Sequence, residues 1–144
     1  MKVAVKKVKE NAKLPFYATP DSAGCDLHAC ISEPLVVKPG ETVFVPTGLA
    51  FMIPSGYAGL IYARSGIACK RGLAPANKVG VVDADYRGEV LVALYNQSNT
   101  DQTIEPDERI AQFVITPYLT AEFEEVDQLD DTLRGQGGFG STSQ

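Results

Sequence analysis

Short runs rich in β-branched residues, each ended by a proline or glycine turn, leave this chain little choice of fold. VAVKKV near the N-terminus is followed by PLVVKPGETVFVPTGLAFMIPSGYAGLIYARS, VGVVDADYRGEVLVALYN and RIAQFVITPYL. Val and Ile lose side-chain freedom in a helix and pack well on a pleated surface. Pro39-Gly40, Pro54-Ser55-Gly56 and Arg87-Gly88 break the runs at hairpin distances. The pattern predicts an all-β chain: a sandwich, a jelly roll or a distorted barrel. Helix is expected for a turn or two at most, around Ser65 to Lys70 or within Glu122 to Leu133, and the latter reads better as a final strand plus linker.

At 144 residues the chain fits one domain. A domain of that size buries roughly 68–70% of the surface its unfolded form exposes, enough for a real core. There is no tandem repeat, and composition shifts only near Asp130, so the expected organisation is a single β-rich domain over 1–130 and a flexible glycine-rich arm over 131–144. Lys plus Arg number 13 against 18 Asp plus Glu, a net charge of −5 that argues against broad nucleic-acid binding. A small anion would need local cations, and Arg64, Arg87, Arg109 and Arg134 are the candidates. No apolar run is long enough to span a bilayer and the start lacks a signal-peptide core, so no membrane association and a cytoplasmic location are expected. Three cysteines without a C-x-x-C pair fit reduced thiols. In CDLHAC, Cys25 stands at odd intervals from His28 and Cys30, so on a strand they face opposite sides, which disfavours a zinc site.

The most informative stretch is Asn77-Lys78-Val79-Gly80-Val81-Val82-Asp83-Ala84-Asp85-Tyr86-Arg87-Gly88, which reads as a hairpin arm. Asp83 falls on the face shared by Val79 and Val81, where packing alone selects an apolar residue. Two readings are open there. Asp83 and Asp85 begin an Asx-type turn, or a partly desolvated Asp83 acts as general base for water with Tyr86 as a pocket wall. In Ala63-Arg64-Ser65-Gly66-Ile67-Ala68 a strand ends in a compact donor set that suits an anion, and equally a plain strand-end turn. Arg109-Ile110-Ala111-Gln112-Phe113 is compatible with an ordinary strand carrying an exposed amide. The closing RGQGGFGSTSQ has one large apolar side chain. It cannot offset an ordering cost of roughly 1–2 kcal/mol per residue by its own contacts. It fits a solvated tail, yet it holds an arginine, a ring and hydroxyls suited to an anionic, ring-bearing ligand. The lysine of a G-x-x-x-x-G-K-[ST] phosphate loop is missing, and the single histidine offers no Ser/His/Asp triad.

Together, AGCDL at 23–27, ARSGIA at 63–68, NKVGVVDADYRG at 77–88, RIAQFVI at 109–115 and RGQGGFGSTS at 134–143 stand in the order and approximate spacing of the five motifs of trimeric dUTP diphosphatases. The resemblance runs from about residue 12 to 143. It implies a jelly-roll-like distorted barrel of the β-clip type, a homotrimer with each active site built from three chains, and hydrolysis of dUTP to dUMP and pyrophosphate with Mg²⁺ across the triphosphate. Such an activity supplies dUMP and limits uracil entry into DNA. By the same resemblance, Asp83 activates the water that attacks the α-phosphorus. Asn77 and the main chain around Gly80, Val81 and Leu91 read the uracil edge, and Tyr86 packs under the deoxyribose, leaving no space for a 2′-hydroxyl. Arg64, Ser65 and Gly66 hold phosphate oxygens from a neighbouring chain, Gln112 lies nearby, and Asp26 holds the metal's water shell. The tail is implied to be a lid: Phe139 stacks over the uracil, Arg134, Ser141 and Thr142 grip the γ-phosphate, and Gly140 with the other glycines lets the backbone wrap. Ser143-Gln144 departs from the family's usual glycine after the Ser-Thr pair.

Two other functions are compatible with such a fold. A dCTP deaminase, its relative, releases ammonia from cytosine with a glutamate acting on the base, and differs at the R-S-G and D-x-D-Y positions; no such substitution is seen here. A non-catalytic nucleotide-sensing module is the other alternative, disfavoured by the presence of Asp83, Tyr86 and the whole tail motif.

Overall fold

The structure is a computed structural model and describes residues 1–138. Its strands are β1 (Ala4–Lys7), β2 (Cys25–His28), β3 (Leu35–Val37), β4 (Thr42–Pro46), β5 (Leu49–Met52), β6 (Tyr57–Tyr62), β7 (Leu73–Pro75), β8 (Gly80–Val82), β9 (Leu91–Asn96), β10 (Gln102–Ile104) and β11 (Arg109–Pro117). The one helix among the described residues, α1 (Ser65–Arg71), falls between β6 and β7, where a turn or two was expected. The strands form a four-stranded sheet β2-β11-β6-β8, a three-stranded sheet β4-β9-β7 and the pairs β1-β5 and β10-β3. This is the expected all-β, jelly-roll-like architecture. It is distorted to the point that, among the described residues, no single ladder closes into a barrel.

The core explains why these runs became strands. In β9, Val92, Leu94 and Asn96 are buried while Leu91, Ala93 and Tyr95 turn outward, the period-2 alternation read from the sequence. Leu27, Leu49, Leu73, Leu94, Ile104 and Ile110, each from a different strand, are sealed from solvent. Each such side chain contributes roughly 1.5–3 kcal/mol by leaving water. Asn96 is the buried polar exception, and it is satisfied: its Nδ2 donates to the carbonyls of Val37 and Thr100 at 2.9 and 2.8 Å, and its Oδ1 accepts from the Ser98 amide at 2.9 Å.

Two features of this frame place side chains that matter below. Between Arg109 and Ala111 the pairing of β11 with β2 slips, so Ile110 and Ala111 are both buried and Arg109 and Gln112 emerge on one side despite their spacing. At the other end of the same region Arg71, in the last turn of α1, pairs with Glu108 and donates to the Thr103 carbonyl. That brace ties the helix beginning at Ser65 to the turn that presents Arg109.

The strand expected within Glu122 to Leu133 does not form. The last strand ends at Pro117, and every residue from Tyr118 to Gln136 is exposed. A strand needs a ladder partner, and among the described residues this acidic segment pairs with no sheet edge of its own chain.

Candidate active site

Two concavities collect nearly all the described residues singled out from the sequence. The first is a slot of about 320 Å³ lying between β8 and β9. The sequence reads here as a hairpin, but the two arms part: β8 pairs with β6 and β9 with β4 and β7, and among the described residues no ladder joins β8 to β9. The unpaired edge of β8 and the start of β9, ahead of the Leu94–Asn96 stretch that pairs with β7, therefore border an open slot, the arrangement needed to read a flat ring by main-chain N–H and C=O groups. Asn77, Gly80, Val81, Asp83, Tyr86 and Leu91 all line it. A Cβ on Gly80 would stand 3.3 Å from the Asn77 Nδ2, so the bare backbone there makes room for the amide.

The structure corrects one premise about Asp83. Its face, shared with Val79 and Val81, is the open one: Val81 is 63% exposed, whereas Val82 is buried. The core register belongs to Gly80 and Val82, and the Val81 side points away from the core. Asp83 itself is exposed in the single chain rather than partly desolvated. Among the described residues its carboxylate has no salt-bridge partner.

The second concavity, about 280 Å³, is a cradle lined by Ser22, Asp26, Arg64, Ser65, Arg109 and Gln112, among others. Its centre is Asp26, buried, whose Oδ1 accepts from Arg64 Nε at 2.7 Å and whose Oδ2 accepts from an Arg109 terminal nitrogen at 3.2 Å. Asp26 and Gln112 are cross-strand partners, and the Gln112 amide donates to the Ala63 carbonyl at 3.1 Å. Two guanidinium groups held on one carboxylate leave their outer N–H donors available to an anion such as a phosphate chain. Gly66 lies beside the cradle without lining it, and a Cβ there would meet nothing within 4 Å among the described residues. Any need for glycine at that position therefore does not come from the described residues of its own chain.

Arginine sorting was only partly legible. Arg87 turns onto its own loop, donating to the Ala84 and Tyr86 carbonyls, and Arg134 donates to the Gly137 carbonyl at 2.9 Å; neither lines the cradle. Arg109 does line it, and its role rests on the bulge at Ile110. The adjacent apolar pair Ile110-Ala111, which breaks strict alternation, was the signal. Ser22 in the cradle and Phe44 at the slot had no such signal. Phe139, Gly140, Ser141 and Thr142 lie outside the described residues.

As to metal, no three His, Cys, Asp or Glu side chains converge among the described residues. The cradle's one carboxylate, Asp26, already has both oxygens engaged by arginine. Among the described residues this donor set does not fit a metal coordinated by the chain alone; it fits a Mg²⁺ that phosphate oxygens would carry, whose bound water Asp26 would hold.

CDLHAC resolves into packing. The Cys25 thiol donates to the Phe113 carbonyl at 3.3 Å, and burial pushes both the Cys25 and Cys30 thiols up. His28 stacks on Phe16 with centroids 5.8 Å apart, and among the described residues its buried Nδ1 finds no partner. Burial, then Lys13 and more weakly Arg109, hold its pKa below the ordinary value, with Asp26 and Asp107 opposing. The native state thus binds fewer protons than the unfolded chain as pH falls below about 6.5. Stability present above that pH is lost as pH drops toward the depressed native value, and not further. His28→Phe, which keeps a ring against Phe16, is expected to flatten that acid-side slope in urea unfolding at fixed protein concentration. An unchanged slope would assign it to other groups.

A family model for dUTPase matches residues 10–143. A deoxyuridine 5′-triphosphate nucleotidohydrolase of Desulfitobacterium hafniense is 50% identical, over 99% of this chain and 95% of its own length. One from Acinetobacter baumannii is 47% identical over 99% and 98%. Among solved structures, a mutant of Staphylococcus bacteriophage 80alpha dUTPase with dUpNHpp superposes with a TM-score of 0.88 at 29% identity, covering 98% of both chains. A mutant dUTPase from phage phi11 of S. aureus, whose structure reveals the coordination of a structural Mg(II) ion, gives 0.82 at 25% identity, covering 91% of this chain and all of that one. Together with the open β8–β9 slot and the arginine cradle, these matches identify the chain as a member of the dUTPase family.

Proposed function

We propose that this protein hydrolyses dUTP to dUMP and pyrophosphate, as a cytoplasmic homotrimer whose active sites combine residues of neighbouring chains. The observation that carries the reading is the pairing, on one chain, of a ring-sized slot bearing Asp83 and Tyr86 with an arginine cradle that shares no lining residue with it. A nucleotide needs both parts. The uracil and deoxyribose occupy the slot, with Asn77 and the main chain at Gly80, Val81 and Leu91 on the base edge and Tyr86 against the sugar. The phosphates meet Arg64, Ser65 and Gly66 of a second chain, with Gln112 alongside. Arg134, Phe139, Gly140, Ser141 and Thr142 close over the ligand from the arm.

Asp83 takes a proton from water as its oxygen bonds the α-phosphorus. The bond from that phosphorus to the bridging oxygen breaks, and pyrophosphate leaves with the electron pair. The proton on Asp83 then returns to solvent. Phosphoryl chemistry asks little more of a protein than a positioned water, a base and fixed positive charge. A Mg²⁺ held by the triphosphate would supply charge neutralisation. Asp26, through water and through its two arginines, keeps the cradle's donors fixed.

Pyrophosphate release measured across dUTP, the four standard dNTPs and UTP, with and without Mg²⁺, tests the reading. Release from dUTP that depends on Mg²⁺ is expected, and ammonia from dCTP would contradict it. Ending the chain after Leu133 is a further test. Residues 118 to 136 are exposed, so the core and assembly are expected to survive. Loss of arm contacts that orient the triphosphate is expected to lower turnover by about 10²-fold. A truncated chain that keeps full activity would remove the arm from the mechanism.

A further inference from the structure

We infer that Gly88 and Glu89 are positioning residues that fix the ring of Tyr86, and with it the rejection of a ribose 2′-hydroxyl. The inference rests on the reading that Tyr86 is the sugar platform. Tyr86 is 46% exposed and its ring is not part of the core, so packing alone does not hold it. What holds it is the loop that follows. Its hydroxyl donates to the Glu89 carbonyl at 3.0 Å, folding the ring back across Gly88. A Cβ on Gly88 would stand 2.4 Å from the Tyr86 Oη and 2.6 Å from Cζ, so only a residue without a side chain permits that seat.

The acceptor is itself anchored. The Glu89 carboxylate accepts from the Gly48 amide at 2.8 Å, in the turn between β4 and β5, with the Lys9 ammonium 3.8 Å away. The next residue is locked to the same turn: the Val90 amide donates to the Leu49 carbonyl at 2.8 Å, and the Val90 carbonyl accepts from the Thr47 hydroxyl at 2.7 Å. On the other side Arg87 donates to the Ala84 and Tyr86 carbonyls at 2.6 and 3.0 Å, closing the loop on itself. A line of hydrogen bonds thus runs from a buried turn through Glu89 to the Tyr86 hydroxyl. A ring held at both ends cannot retreat from an added hydroxyl; a ring freed at one end can. Loosening the seat therefore admits UTP more than it harms dUTP.

The test is the ratio of kcat/KM for dUTP to that for UTP in the full-length protein. Gly88→Ala and Glu89→Ala are each expected to narrow the ratio roughly tenfold, mainly through a lower KM for UTP. Glu89→Gln, whose amide oxygen still accepts from Gly48, is expected to restore it. Tyr86→Phe introduces no clash, keeps the ring and cuts only the tether; it is expected to narrow the ratio about threefold to tenfold, which covers the case of a Gly88 variant that does not fold. A purely structural role would lower activity on both nucleotides alike and leave the ratio at its wild-type value, overturning the proposal. Tyr86→Ala separates the two readings. If it collapses the ratio while the Gly88, Glu89 and Phe variants keep it, the positioning claim fails alone. If Tyr86→Ala itself leaves the ratio unchanged, the platform reading and the proposal fall together.

Discussion

Asp83→Asn is expected to bind dUpNHpp with near wild-type affinity and to lose about 10²–10⁴-fold in kcat. The substitution keeps the shape of the side chain and removes only its ability to take a proton. Because Asp83 is exposed at the end of β8, with no salt-bridge partner among the described residues, its loss breaks no packing or ion pair. Thermal unfolding is accordingly expected to shift by no more than the equivalent of about 0.5 kcal/mol. That combination separates chemistry from architecture: calorimetry reports binding, single-turnover kinetics reports the base. A variant with wild-type kcat would show that the water is activated elsewhere.

The strands were legible because burial imposes a period of two, and β9 carries that period without interruption. The slot residues were legible for a related reason. They sit within one continuous stretch and its partner arm, so local sequence carries them together, as Asn77, Gly80, Val81, Asp83 and Tyr86 do. Less legible was how the arms relate. A run such as VGVVDADYRGEVLVALYN reads as a hairpin, and nothing local says that β8 joins β6 while β9 joins β4 and β7. The cradle was harder still. Asp26 meets Arg64 across 38 positions of sequence and Arg109 across 83, and the second contact depends on a one-residue slip in β11. Such pairings belong to the tertiary register, which propensity and alternation do not encode. The acidic segment within Glu122 to Leu133 was misread because a segment makes a strand only where it has an edge to join, and among the described residues it has none.

Asp26→Asn brings these strands of argument to a single measurement. The amide is nearly isosteric, but its nitrogen is a donor and must face one of two guanidinium groups that now lack a counter-charge. Arg109, whose side chain is 47% exposed, can turn to water, whereas Arg64, at 22%, is less free to do so. Breaking a fully buried pair by removing one partner costs about 3–5 kcal/mol; with both arginines partly in solvent, a loss of about 1–3 kcal/mol is expected. The functional loss should exceed the structural one. With Arg64 and Arg109 no longer held on one carboxylate, kcat/KM for dUTP is expected to fall by about 10²-fold. Inhibition by deoxyuridine, which lacks phosphates and needs only the slot, is expected to be unchanged, because the slot and the cradle share no lining residue. Activity assays at a temperature where the variant remains folded, run beside deoxyuridine inhibition, read both effects. If deoxyuridine inhibition weakens as much as dUTP turnover, the two concavities are not the independent halves that the strand register makes them.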